Sequence, residues 1–258
     1  MSRSNIEVKK PWPRRPRREK RCTNLLFALL PEVERRRLTA SCEEVELSFG
    51  DRLWAQGDRM HHVYFPTQGF ISLLVDTEQY PSLEVGLVGR EGAAGVTMAL
   101  EVGIAPVRAL VQGPGTALRI KAGQFSRELD RSPALRSVVK RYLYVLMSQL
   151  GQMSACARFH VVEARLARWL LMTRDRAHSE DFHLTQEFIA SMLGVRRVGV
   201  TQAASFLQER RLIRYSRGRV AILDGRCLEG LACSCYATAK DTYARVMRHR
   251  AYVAAGAN

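Results

Sequence analysis

Residues 184–207 read Leu-Thr-Gln-Glu-Phe-Ile-Ala-Ser-Met-Leu-Gly-Val-Arg-Arg-Val-Gly-Val-Thr-Gln-Ala-Ala-Ser-Phe-Leu. The hydroxyl of Thr185 suits a helix N-cap, where it accepts from a backbone N–H that has no partner inside the helix. Phe188, Ile189, Met192 and Leu193 then fall on one helical face. Gly194 is the residue type that enters a left-handed turn without a Cβ clash. Val195 plugs the corner, and Val200, Ala203, Ala204 and Leu207 form the inner stripe of a second helix. Two short helices joined by a glycine turn make a helix-turn-helix. In that motif the first helix braces on the DNA backbone and the second enters the major groove.

The sequence just downstream extends this reading. Leu212-Ile213-Arg214-Tyr215, Ser216-Arg217-Gly218-Arg219 and Val220-Ala221-Ile222-Leu223 give strand, turn and strand, a wing with arginines at its tip. Residues 196–219 hold seven arginines and one acid, Glu209, a local charge of +6. Such a focus of positive charge suits a polyanion. A wing that binds protein is the competing reading. An RNA-binding protein would want exposed aromatics on a sheet, and the aromatics here sit at core-like spacing.

Upstream, Ser132-Pro133 is an N-cap followed by a proline at the first helical position. Leu135, Val139, Tyr142, Leu146, Gln149, Met153 and Cys156 recur at steps of four and three, a heptad seam. Leu143, Met147 and Leu150 widen the stripe. The spacing predicts a long helix that pairs with a second copy of itself through this seam, with Gln149 as a polar register mark. Val161–Arg176 follows as a further helix, and His178–Asp181 reads as a polar loop.

Earlier still, the texture is β. From Val45 to Ile120, short apolar runs alternate with turn residues at Phe49–Asp51, Gln56–Asp58, Pro66–Gly69, Asp76–Pro81, Gly89–Gly92 and Gly113–Gly115, a spacing that suits a sandwich or small barrel. The clearest strands are His61–Phe65 and Phe70–Val75, and Leu25–Leu38 reads as a short helical start. His61-His62 on a strand reads as a packing and surface pair.

The 258 residues carry 40 Lys and Arg against 25 Asp and Glu, a net charge of +15. That charge is unevenly spread. Residues 1–23 carry +7 and read as a disordered, proline-interrupted basic tail. Residues 24–130 carry −4, and the segments 131–159, 160–224 and 225–258 carry +5, +4 and +3. An acidic front and a basic back suggest divided labour. The apolar fraction of 47% supports a real core, and Leu25–Leu30 is too short for a membrane span. These numbers exclude membrane-spanning, collagen-like and fully disordered chains. Six cysteines are too few for a disulfide scaffold, and no secretory leader is visible, so the expectation is a cytoplasmic chain with reduced thiols.

With these residues in hand, the chain resembles the Crp/Fnr family of bacterial transcription regulators over about residues 24–230. The resemblance rests on Leu184–Glu187, Ile189-Ala190, Leu193–Val195 and Leu212-Ile213-x-x-Ser216–Arg219 at the back. At the front it rests on Gly50-Asp51, Gly57-Asp58, Val63–Phe65 and Gly69. It implies an α+β chain: an N-terminal β jelly roll of the cyclic-nucleotide-binding type over 24–131, a dimerisation helix over 132–159 and a winged helix-turn-helix over 160–235. Apart from the resemblance, Tyr236, Ala239, Tyr243 and Val246 read as a C-terminal helix packed on the wing domain, with a tail to residue 258. The resemblance further implies a homodimer on a near-palindromic operator in double-stranded DNA, and RNA polymerase as a partner of an activator.

The resemblance has departures. The family's recognition helix often opens Ser-Arg-Glu-Thr-Val-Ser/Gly-Arg, whereas this chain has Arg196-Arg197-Val198-Gly199-Val200-Thr201-Gln202. Arg197 is kept. Val198 cannot accept from cytosine N4 as a carboxylate does, and Gln202 suits adenine. Arg197 and Gln202, with Thr201 and Arg196, are therefore the expected base readers, and Thr185, Gln186, Ser216, Arg217 and Arg219 the phosphate contacts. The family's nucleotide binders hold ribose with a Gly-Glu pair and the cyclic phosphate with an Arg-Ser/Thr pair. Here Glu91 and Arg108 are the nearest counterparts, with no Arg-Ser pair, so no cofactor is expected, and a cyclic nucleotide stands as the alternative effector. Cys22 and Cys42 are too few for an iron–sulfur cluster. Cys227, Cys233 and Cys235 read as buried or incidental thiols, with metal binding or reversible oxidation the other readings. No metal ligand is assigned. No Walker loop, His-Glu-x-x-His or Gly-x-Ser-x-Gly motif argues for an enzyme.

Overall fold

The computed structural model describes residues 24–78 and 82–248. The expected basic tail, 1–23, and the C-terminal stretch 249–258 lie outside them. The chain opens with α1 (Leu25–Ala28) and α2 (Glu32–Ala40). The single helical start expected over 25–38 is thus two helices, because Pro31 has no N–H to continue the first and caps the second. Buried Asn24 pins this start. Its Oδ1 accepts from Leu26 N, and its Nδ2 donates to the carbonyls of Pro66 and Gly92.

Five strands form one antiparallel sheet: β1 (Glu43–Leu47), β2 (Arg52–Trp54), β3 (His62–Val75), β4 (Leu83–Val88) and β5 (Arg108–Lys121). The order is β1-β5-β3-β4, with β2 also paired to β5. Pro66–Gly69 and Gly113–Gly115, expected as turns, lie inside β3 and β5. Register shifts occur where these stretches face each other, and such bulges bend strands. The glycines let the two backbones cross closely. A Cβ on Gly69, at φ 73°, would sit 2.2 Å from the Gly113 carbonyl, and one on Gly115 would sit 2.2 Å from that of Gln68.

The first core lies between this sheet and the helices around it. It gathers Phe27, Phe65, Ile71, Val111 and Phe125, the last from α3 (Ala122–Arg131). The long helix α4 (Pro133–Phe159) begins as predicted: Ser132 Oγ accepts from Leu135 N at 2.9 Å. Its expected seam needs correction, however. Leu135, Val139 and Tyr142 are fully buried in the chain's own first core, and Leu146 packs against it. The heptad stripe faces inward because the sheet covers it, and the Tyr142 phenol fills the space over Gly92. Gln149 and Met153 are half-buried. The apolar face that stays exposed is Tyr144 (56%), Met147 (70%) and Leu150 (42%).

The back half comprises α5 (Val162–Ala177), β6 (Asp181–His183), α6 (Gln186–Leu193), α7 (Arg197–Glu209), β7 (Ile213–Ser216), β8 (Arg219–Ile222), α8 (Gly225–Leu231) and α9 (Cys235–Arg248). The three short strands form a sheet in the order β6-β8-β7. β6 includes Asp181, expected in a loop, because Phe182 is buried in the second core. α9 was expected against the wing. Its start does pack there, with Tyr236 buried in the second core and donating to Asp175 of α5, whereas its later turns lie along α4, with Met247 in the first core and the Met247 carbonyl accepting from Arg141.

The second core is completed by the front sheet: Phe70, Leu74 and Leu87 pack with Leu166, Trp169 and Leu170 of α5. A polar link runs through the same contact. Glu84 on β4 is buried and accepts from Ser72 Oγ at 2.8 Å and from Trp169 Nε1 at 2.9 Å. Burial pushes its carboxyl up to about 7, against the pull of those hydrogen bonds and of Arg168 and Arg176. Between the unfolded value of 4.5 and about 7 the folded chain therefore holds the extra proton. This contribution to stability is full at acid pH and is lost as pH rises through about 7. In urea melts of wild type and Glu84→Gln, the variant's relative stability is expected to improve from pH 4.5 to pH 8, by up to about 3 kcal/mol. An unchanged difference would refute the shift.

Candidate nucleic-acid interface

The helix pair forms where the local sequence dictates. Thr185 Oγ1 accepts from Phe188 N at 3.1 Å and starts α6. Gly194 ends it at φ 61°, and Val195 N then bonds back to the Ala190 carbonyl at 3.0 Å, the left-handed C-cap pattern. The turn is also pressed on the front domain, since a Cβ on Gly194 would lie 2.7 Å from Leu83 Cδ1. α7 starts at Arg197, and Arg196 occupies its N-cap without a side-chain cap. Val200, Ala203, Ala204 and Leu207 are buried. Arg196, Arg197, Val198, Thr201 and Gln202 are left exposed at the helix start. Thr201 Oγ1 donates to Gln186 Oε1 at 2.8 Å, so two of the expected DNA contacts brace each other.

The wing turns at Arg217-Gly218, with φ 49° and 75°. Two consecutive positive φ values between paired strands make the type I′ hairpin turn. The wing is tied to the helix pair at three points. Leu184 N donates to the Gly218 carbonyl at 2.6 Å. Tyr215 Oη donates to the Leu184 carbonyl at 2.7 Å, and Tyr215 N donates to Gln208 Oε1 at 2.7 Å. The Tyr215 phenol is pushed up to about 12 by burial, against the pull of the Arg197 charge.

Thr185, Ser216, Arg217 and Arg219 are exposed, and Gln186 is half-exposed. Arg219 is ion-paired with Asp181 at 2.8 Å. Among the described residues, Arg196, Arg197, Arg214 and Arg217 have no acidic side chain within ion-pair distance. The surface from the start of α7 to the wing tip is thus a patch of uncompensated guanidinium groups.

Residues 164–231 match the family described as the Crp-like helix-turn-helix domain. This part of the chain is a Crp-like helix-turn-helix. The Crp/Fnr regulator fold extends over most of the rest. A CRP-family transcriptional regulator from Thermus thermophilus superposes with a TM-score of 0.62 at 19% identity, covering 73% of this chain and 96% of that one. The c-di-GMP responsive global regulator CLP of Xanthomonas campestris gives 0.63 at 14%, covering 75% and 100%. FixK2 of Bradyrhizobium japonicum gives 0.63 at 12%, covering 74% and 98%. No curated protein sequence matches the chain. No helix among the described residues is long and apolar enough to cross a membrane.

Within the Crp/Fnr fold, the expected effector residues are already engaged. Glu91 forms an ion pair with Arg176 of α5 at 2.7 Å, and its backbone carbonyl accepts from Tyr243 Oη. Arg108 pairs with Asp76 at 3.0 Å and donates to Ser82 Oγ. The Tyr142 phenol packs over Gly92 beside Glu91. The thiols also separate. Cys227 is exposed on α8, whereas Cys233 and Cys235 are buried beside Cys156 and His160 at the end of α4. Cys156 falls on the heptad pattern of α4, one helical turn before His160. Their spacing of four residues, which places both on one helical face, was the available signal.

Gly194→Ala forces a side chain into a left-handed turn and against Leu83. The expected cost is about 1–2 kcal/mol in urea unfolding. Reducing Leu83 to alanine in the same chain should recover part of it, and no recovery would show that the turn does not press on β4.

Proposed function

We propose that the protein is a homodimeric transcription regulator that binds a near-palindromic operator in double-stranded DNA. The observation that carries this reading is the continuous patch of unpaired arginines joining the start of α7 to the wing, on a Crp-like helix-turn-helix. Arg197 and Gln202 read base edges, with Thr201 and Arg196 beside them. Val198, 59% exposed in the first turn, suits the methyl group of thymine. Thr185, Gln186, Ser216, Arg217 and Arg219 hold phosphates. Because phosphate contacts dominate affinity and release counterions, binding falls steeply with salt.

The dimer face in this reading is the exposed side of α4, Tyr144, Met147 and Leu150, rather than the inward stripe. Exposed Gly151 within it, with open space around its Cβ position, lets two such helices approach closely. The front domain transmits a signal of undefined chemistry. Glu91 and Arg108 serve as internal struts, so the reading includes no cyclic-nucleotide clamp. The protein works in the cytoplasm, without catalysis. Contact with RNA polymerase is assigned to no surface.

The test is selection of bound DNA from a random pool at physiological salt. An inverted repeat with half-sites about 10 base pairs apart is expected. Arg197→Ala should cost about 1–3 kcal/mol on that repeat and much less on random DNA, and equal losses on both would reject base reading. Met147→Asp with Leu150→Asp should convert a dimer to a monomer in sedimentation, and a persistent dimer would place the interface elsewhere.

A further inference from the structure

Three cysteines and one histidine converge where the long helix ends. Cys156 and His160 lie one turn apart at the C-terminus of α4, and Cys233 and Cys235 lie in and after the link between α8 and α9. Cys156 Sγ is 3.6 Å from Cys233 Sγ, and Cys235 Sγ is 3.5 Å from His160 Nδ1. All four ligand atoms lie within 4.8 Å of one another. A tetrahedral zinc, with sulfur at about 2.3 Å and imidazole nitrogen at about 2.0–2.1 Å, sets its ligand atoms roughly 3.5–3.8 Å apart. The Cys156–Cys233 and Cys235–His160 separations already have that value. We propose that Cys156, His160, Cys233 and Cys235 bind one zinc ion as a closed structural site.

Two independent observations support this assignment. The first is the surrounding charge. Arg165 and Arg168 on α5 are buried, both act electrostatically on Cys156, and neither has an ion-pair partner among the described residues. The Nε of each also lacks a hydrogen-bond partner. Buried cations without a counter-charge are costly. A divalent ion held by three thiolates and a neutral imidazole carries a net charge of −1, which complements the two guanidinium groups. The second observation is support around the ligands. Gln152 Nε2 donates to Cys235 Sγ at 3.1 Å, and Cys233 N donates to the Ala164 carbonyl at 3.3 Å. Outer contacts of this kind fix the direction of metal ligands.

The site spans the joint between α4 and the helix-turn-helix domain, residues 159–162. Two ligands belong to α4. The other two lie beyond α8, and Cys233 is bonded to α5. An ion there clamps the end of α4 to the domain that follows, so metal supply becomes coupled to the rigidity of this joint. Binding releases the thiol protons, so affinity rises with pH.

The experiment uses the full-length protein, reduced and stripped by a chelator, then titrated with Co2+. The expected result is the strong visible absorption of tetrahedral thiolate-bound cobalt. It should saturate at one equivalent per chain, bleach on addition of Zn2+ and accompany a rise in melting temperature. Cys156→Ser and Cys235→Ser should each lower cobalt affinity more than about tenfold. Cys227→Ser, whose thiol lies outside the cluster, should leave it unchanged. Where Cys156→Ser fails to fold, the partly exposed ligand in His160→Asn carries the comparison. Absence of a tetrahedral spectrum in the wild type overturns the site, as does a spectrum lost in Cys227→Ser. A Cys156–Cys233 disulfide in the purified protein, with no metal taken up after reduction, also overturns it and assigns the cluster to thiol oxidation.

Discussion

The hydrophobic core of the helix-turn-helix domain is not closed on itself. Phe70, Leu74 and Leu87 of the front sheet form one wall of it, against Leu166, Trp169 and Leu170. Apolar surface of that size cannot be returned to water cheaply, since each buried side chain of this kind is worth about 1.5–3 kcal/mol. The position of α5, and with it of α6 and α7, is therefore set by where β3 and β4 lie. Glu84 sharpens the constraint, because a buried carboxyl must keep its donors. One of these, Ser72, is on the front sheet, and the other, Trp169, is on α5. Further contacts follow the same seam: Ser191 Oγ donates to the Ser82 carbonyl, and Gln112 donates to the sulfur of Met192. A change in the front domain that shifts β4 must move the recognition helix or break this wall.

α4 serves three masters around its circumference. One face completes the front core, a second carries α9, and a third is left apolar and exposed. This division explains why the helix has apolar residues on nearly every side. It also makes α9 part of the front domain's support, although its sequence follows the wing.

The back half was legible because its signals are local. A capping threonine, a glycine at a left-handed turn and two inner stripes need nothing distant to have their meaning, and Thr185, Gly194 and Val200 sit as their chemistry requires. The sequence is silent where a residue's meaning depends on what lies across from it. Periodicity marked Leu135, Val139 and Tyr142 as buried, but it could not say whether a partner helix or the chain's own sheet covers them. Gly69 and Gly115 looked like turn residues, but they serve a crossing of two strands, where the absence of a Cβ matters more than the freedom of φ. The cluster at the end of α4 was hidden by sequence distance, because Cys156 and Cys233 are 77 residues apart. Phe182 marks a lower limit of length, since a three-residue strand carries too short a pattern to read.

The hydrogen bond from Leu184 N to the Gly218 carbonyl has a consequence for the thermodynamics of recognition. With Tyr215, it joins the wing tip to the start of α6, so the hairpin and both helices form one rigid template. Most flexible basic loops lose conformational entropy when they settle on a phosphate backbone. Here those hydrogen bonds already hold the hairpin against the helix pair before a ligand arrives. The spacing between the guanidinium groups of Arg197 and Arg217 rests on the backbone that carries them, and only side-chain rotamers remain to be selected. In the proposed complex, a duplex whose groove does not match that spacing gains little from adjustment by the protein, so the fit would draw on deformation of the DNA itself.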